Sequence, residues 1–198
     1  MKGSFDILIV GVGGQGTILT SNILGEACLL ENRHVKGAET HGMAQRGGSV
    51  ESHIRIDGEL GPLIPPGDAD ILIALEMLEA VRYRHWLGPE GMMVVSRNIV
   101  VPTSVFTQEL TVPTEEKIVE QLKGTRFCLV DAPALAVEAG SPLAQNVVML
   151  GAASPFLPLS PESLMEAVRR SVPKKTIDVN IRAFELGRDA AEQCSVKI

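Results

Sequence analysis

Apolar residues in this chain gather into short unbroken runs separated by helix-length stretches with a 3.6-residue period. Ile7-Leu8-Ile9-Val10 and Phe127 to Val130 are runs of this kind, Ala69 to Leu75 is one interrupted at Asp70, Met92 to Ser96 is one closed by a serine, and all fit strands buried on both faces. Leu19, Ile23, Ala27 and Leu30 follow an i, i+4, i+8, i+11 spacing, which predicts a first helix over 17–32. Residues 33–39 read as a second strand. From Val50 to Ile56 the pattern changes to alternation, with Val50, Ser52, Ile54 and Ile56 on one face and Glu51, His53 and Arg55 on the other. Asp57-Gly58 marks a turn, Leu60 to Ile64 can pair back as a hairpin, and Pro65-Pro66-Gly67 ends it.

Further helices are predicted over about 77–86, 114–123, 135–139 and 142–153, after Ser160-Pro161, and around Ile177, Ile181 and Phe184. Gly88-Pro89-Glu90-Gly91 reads as a break, and 97–112 as irregular with room for a short edge strand. The fold class that follows is α/β: one doubly wound, mostly parallel sheet with helices on both faces and a β-hairpin insertion near 50–64. At 198 residues, with no linker or repeat, the chain reads as one domain over 1–198.

The first strand runs straight into Gly11-Val12-Gly13-Gly14-Gln15-Gly16, and Thr17 opens the helix. Strand, glycine turn and helix start are the entry to a dinucleotide-type βαβ unit, whose free helix N–H groups suit an anion. Gly11, Gly13 and Gly16 have the dinucleotide spacing, and Glu39 stands about 20 residues on, where a ribose-binding carboxylate is expected. The plainer reading is that the glycines only close a tight turn. Gln15 can donate and accept at the mouth of the loop.

A second distinctive stretch, residues 40–49, has no hydrophobic period and contains His41, Gln45, Arg46, Gly47 and Gly48. Glycine neighbours let the Arg46 guanidinium approach a phosphate or carboxylate; the alternative is an arginine that ties down its own loop. His41 has a suitable proton affinity for acid–base work but no nucleophile beside it. Glu76 and Asp131 end strands, where they either meet a ligand or cap a helix. Asn146, in an apolar helix, calls for a buried partner. His34, His53 and His85 lack metal spacing and read as surface residues.

Net charge −6 argues against nucleic acid or an anionic membrane as partner. No apolar run approaches a membrane span, and the first strand begins too early for a signal peptide. Cys28, Cys128 and Cys194 form no cluster or zinc pattern; an odd, sparse set fits a reducing cytoplasm, with Cys28 and Cys128 as core residues. No Ser-His-Asp, His-Glu-x-x-His or Walker lysine pattern is present, so the chain reads as a binding platform without a complete catalytic set.

Taken together, the glycine loop and Glu39-Thr40-His41-Gly42-Met43-Ala44-Gln45-Arg46-Gly47-Gly48-Ser49-Val50 resemble the gamma-type subunit of 2-oxoacid:ferredoxin oxidoreductases. The variant His-Gly-Met-Ala-Gln-Arg-Gly-Gly resembles the small, beta subunit of the indolepyruvate branch, and residues 146–152, Asn-Val-Val-Met-Leu-Gly-Ala, resemble a third family segment. The resemblance implies coenzyme A-dependent oxidative decarboxylation of a 2-oxoacid to acyl-CoA, carbon dioxide and reduced ferredoxin. It places thiamine diphosphate, magnesium and iron–sulfur clusters on a larger partner subunit, with ferredoxin met through the complex. It implies coenzyme A contacts at Gly11, Gly13, Gly14, Gln15, Gly16, His41, Gln45, Arg46, Gly47 and Gly48. An isolated chain is expected to be inactive, and to display an apolar patch near these loops or bury it in a homodimer. Two other readings stay open: a free-standing NAD(P)- or flavin-binding oxidoreductase using Glu39, and a structural subunit without ligand.

Overall fold

The computed structural model describes residues 3–41, 48–101 and 111–194. Six strands form one mixed sheet in the order β2-β3-β1-β4-β5-β6. They are β1 (Phe5–Val12), β2 (Val35–His41), β3 (Ser49–Ile56), β4 (Ala69–Ala74), β5 (Leu87–Ser96) and β6 (Arg126–Val130). The helices among the described residues are α1 (Thr17–Leu30), α2 (Met77–Tyr83), α3 (Glu115–Gln121), α4 (Ala132–Ala139), α5 (Gln145–Ala153), α6 (Pro161–Ser171) and α7 (Ile177–Glu192).

Alternate residues of each central strand serve opposite faces. Ile7, Ile9, Ile71, Ile73, Val94 and Cys128 pack beneath α1 and α4 to α7, while Leu8, Val10, Leu72, Met93, Val95 and Phe127 pack against α2 and α3. The two layers explain why these strands read as continuous apolar runs. At the crossing of α5 and α7 the backbones nearly touch. A Cβ on Gly151 would stand 2.0 Å from the Phe184 carbonyl oxygen, and one on Gly187 1.9 Å from that of Val148. Both positions therefore admit glycine alone.

Four expectations need correcting. First, the antiparallel hairpin is β2–β3, in register from Val35↔Ile56 to His41↔Val50, and β3 also pairs antiparallel with β1. Residues 60–64 form no strand; the Trp86 indole N–H instead donates to the Ile64 carbonyl at 3.1 Å. Second, β3 is an interior strand, so its polar face is covered too. His53 and Arg55 on that face are buried, which takes His53 off the surface. Third, Gly88 to Gly91 is not a break but an irregularity within β5: Ala69 pairs with Leu87 and Ile71 with Met92. Fourth, Cys128 does not stand alone, because it is disulfide-bonded to Cys194, 66 residues further on.

Candidate crevice at the carboxyl edge

β1 and β4 run parallel side by side, while the chain leaves β1 toward one edge of the sheet and β4 toward the other. Ligand crevices in doubly wound sheets open at that switch, outside the carboxyl ends of the strands. The glycine loop sits there. Gly16 caps α1 at φ 86°, and a Cβ on it would lie 2.8 Å from the Asn146 amide nitrogen. A side chain is thus excluded twice, by backbone conformation and by α5. The Asn146 amide donates to the Gly16 carbonyl at 3.4 Å, the buried partner that its setting called for. α1 starts with no side-chain cap and no acidic residue in its first turn.

Gln15 ties the loop down. Its Oε1 accepts from the Val12 N–H at 2.7 Å and its Nε2 donates to the Leu75 carbonyl at 3.2 Å. Gly13 N–H donates to the Gly48 carbonyl at 2.9 Å, so the second motif does end beside the first. Ser49, the next residue, holds Glu79 and stands 3.2 Å from the Tyr83 hydroxyl, which fixes the start of β3 on α2. Burial pushes the Tyr83 phenol above its ordinary range.

Between the glycine loop, the ends of β4 and β5 and the start of α5 lies a cavity of ≈ 250 Å³. Gly14 and Gln15 form one wall, Leu75, Ser96, Asn98 and Val100 a second, and Pro142, Leu143, Gln145, Asn146 and Met149 a third. None of these side chains ionises. Ile18, Val101 and Leu143 are exposed on segments that border the cavity.

Other candidates fall elsewhere. Gln45, Arg46 and Gly47 lie outside the described residues, as does the side chain of His41; the His41 backbone closes β2 opposite Val50. Glu39 is exposed on the edge strand, in register with Ser52, and β3 separates it from β1. A ribose-binding carboxylate belongs on the strand next to β1, so this one is misplaced for that role. Glu76 and Asp131 are caps. Glu76 accepts from the N–H groups of Glu79 at 2.8 Å and Val100 at 3.0 Å, and Asp131 from that of Ala134 at 3.1 Å. Burial pushes the Glu76 carboxyl up, against the pull of those N–H groups. His34 and His85 are exposed. Among the described residues no group of His, Cys, Asp and Glu side chains could hold a metal ion. Sequence reasoning passed over Ser96, Asn98 and Leu75; the one available signal was a polar residue closing an apolar strand at the carboxyl edge.

Residues 6–190 match the pyruvate ferredoxin/flavodoxin oxidoreductase family. The chain is 43% identical to indolepyruvate oxidoreductase subunit IorB of Thermococcus kodakarensis, over 96% of both chains. It is 29% identical to 2-oxoglutarate synthase subunit KorC of Methanocaldococcus jannaschii, over 95% of this chain and 94% of that one. In fold it is similar to 2-oxoglutarate:ferredoxin oxidoreductase from Magnetococcus marinus, solved with 2-oxoglutarate, coenzyme A and succinyl-CoA bound. There the TM-score is 0.75 and the identity 22%, over 98% of this chain and 32% of that one. The chain belongs to the pyruvate ferredoxin/flavodoxin oxidoreductase family.

Proposed function

We propose that this family member is the small subunit of an indolepyruvate, or arylpyruvate-type, ferredoxin oxidoreductase. It takes part in coenzyme A-dependent oxidative decarboxylation of the 2-oxoacid to acyl-CoA, carbon dioxide and reduced ferredoxin. The observation that carries the reading is the 43% identity to an indolepyruvate oxidoreductase subunit over nearly the whole of both chains, against 29% to a 2-oxoglutarate synthase subunit.

Thiamine diphosphate, magnesium and the iron–sulfur clusters belong to a larger partner subunit in this reading. The cysteines here suit no cluster: two are bonded to each other, and Cys28 is buried with its thiol pushed up to about 12 by burial. Coenzyme A fits the crevice better. The start of α1 offers N–H groups to phosphate, and the neighbouring cavity is uncharged. The second motif, whose Gly48 carbonyl accepts from Gly13 N–H, includes Arg46 as a cation for the phosphates in this reading. The chain itself binds and orients the coenzyme; the redox chemistry is supplied by the partner's groups. The location is cytoplasmic in this reading; no described helix is long and apolar enough to cross a membrane.

Reconstitution tests this. The pure chain, given indolepyruvate, coenzyme A, thiamine diphosphate, magnesium and a viologen acceptor, should not turn over until the larger subunit is added. Turnover by the chain alone would overturn the subunit reading, and a complex that prefers 2-oxoglutarate or pyruvate would move it to another branch. A nicotinamide or flavin bound by the isolated chain would revive the dinucleotide reading, which the position of Glu39 disfavours.

A further inference from the structure

Ser96 closes β5, in register with Val130 at the end of β6. It is 1% exposed, and its hydroxyl has no hydrogen-bond partner, yet the residue forms part of the cavity wall. A serine hydroxyl has one donor and two acceptor sites, and leaving it buried and unpaired costs stability. The neighbouring polar groups are committed: the Asn146 amide donates to Gly16, that of Gln145 to Pro142, and both ends of the Gln15 amide are engaged. Ser96 is the wall residue whose side-chain hydroxyl is both fully buried and without any hydrogen bond.

The character of the wall limits what can enter. It is neutral, and Leu75, Val100 and Met149 make much of it apolar. A phosphate drawn in would lose its water without meeting a counter-charge. An aliphatic chain carrying an amide would lose little and could satisfy the hydroxyl. At ≈ 250 Å³ the cavity lies below the roughly 300–1,000 Å³ of clefts that enclose a whole ligand. It has room for one arm of a larger molecule.

We propose that the cavity takes the uncharged pantetheine arm of coenzyme A, with an arm amide hydrogen-bonded to Ser96, while the phosphates stay outside at the start of α1. The inference rests on the coenzyme A reading above and adds which half of the coenzyme goes where. Ser96 then binds the coenzyme and positions its arm without entering the chemistry.

The test uses the reconstituted complex with three probes. These are coenzyme A, pantetheine as neutral acceptor or competitive inhibitor, and adenosine 3′,5′-bisphosphate as the phosphate-bearing half. Ser96→Ala should weaken coenzyme A and pantetheine alike, by about three- to tenfold. It should leave inhibition by the bisphosphate and the KM for the 2-oxoacid unchanged. The variant chain should melt at or above the wild-type temperature, because no partner is lost, so poor folding cannot imitate the result. Unchanged affinity for both thiols, a weaker bisphosphate, or a rise confined to the 2-oxoacid KM would each overturn the assignment. If Arg46→Ala weakens coenzyme A while Ser96→Ala leaves both thiols alone, the arm assignment fails and the coenzyme A reading stands. If neither variant alters coenzyme A, both fail.

Discussion

The two ends of the sheet treat buried polar groups in opposite ways. At the amino end, Asp6 on β1 and Arg55 on β3 are 0% and 4% exposed. The Arg55 guanidinium donates to both Asp6 carboxylate oxygens, at 2.8 and 3.0 Å, and to the Gly61 carbonyl at 2.6 Å. The Asp6 backbone N–H donates to Asp70 at 2.7 Å. The hydrogen bond to Asp6 holds the guanidinium above its ordinary range. At the carboxyl end the crevice wall carries no charge, and Ser96, part of that wall, is buried with its hydroxyl unpaired. A charge that must stay buried is surrounded by partners, whereas a site that awaits a ligand leaves capacity open. One end serves the fold, and the other leaves a bond for something outside the chain to make.

The largest effect should come from breaking the closed end. Asp6→Ala leaves Arg55 buried without its counter-charge, which typically costs about 3–5 kcal/mol. Urea unfolding of the isolated chain should show that loss as a lower midpoint at unchanged slope. Asp6→Leu with Arg55→Met should recover most of it, since a packed apolar pair needs no counter-charge. An Asp6→Ala chain within about 1 kcal/mol of wild type would erase the contrast between the two ends.

The next effect is on activity. Arg46→Ala in the complex should lose one charged hydrogen-bonding contact of about 1.5–3 kcal/mol, roughly a ten- to hundredfold fall in kcat/KM for coenzyme A. Its melting temperature should stay near wild type, because the residue sits among glycines in a stretch with no hydrophobic period. A large drop in melting temperature would show the arginine to be a structural tie. Normal turnover would take it out of the site.

What sequence showed divides along the same line, between local and distant causes. The β1–glycine–α1 unit was legible because strand run, turn glycines and helix stripe are neighbours in the chain. So was the α6 start, where the Ser160 hydroxyl accepts from the Ser163 N–H as its position before Pro161 suggested. The reversed strand β3 was legible as a strand but not in its place. Nothing local says that it enters between β2 and β1 and so buries His53 and Arg55. Gln15 was marked as versatile, but its tie to Leu75 spans 60 residues. Ser96 carried almost no signal, since its role depends on α5 arriving from some 50 residues downstream to close the cavity over it.

A smaller effect is pH-dependent and tests a satisfied carboxylate nearer the open end. Glu51 lies on β3 opposite Val10. Burial pushes its carboxyl up, but hydrogen bonds from Thr40, Tyr83 and His53 outweigh that and hold it below its ordinary value. A carboxyl lowered in the folded state adds stability above its unfolded pKa of about 4.3 and loses it as pH falls through the folded value. The stability gap between wild type and Glu51→Gln should therefore be widest near neutrality and shrink below about pH 4. A gap that is flat or widens in acid would show that the hydrogen bonds do not favour the charged form.

The smallest expected effect is the sharpest control on the contrast itself. Ser52 has the other buried side-chain hydroxyl without a partner among the described residues, at 0% exposure. It sits in mid-sheet, paired across to Ile9 on β1 and Glu39 on β2, and takes no part in the crevice wall. If an unpaired buried hydroxyl were only a by-product of fitting a small residue beneath the helix layer, Ser52 and Ser96 would behave alike. On the reading here they differ. Ser52→Ala removes an unsatisfied group and adds nothing that clashes, so stability should rise or hold within about 0.5 kcal/mol. In the complex, every kinetic constant should stay at its wild-type value. Ser96→Ala should match it in stability and depart from it in thiol affinity alone. Were Ser52→Ala to weaken coenzyme A as much as Ser96→Ala, the effect would be traced to the sheet as a whole, and the open end would lose its claim to a ligand.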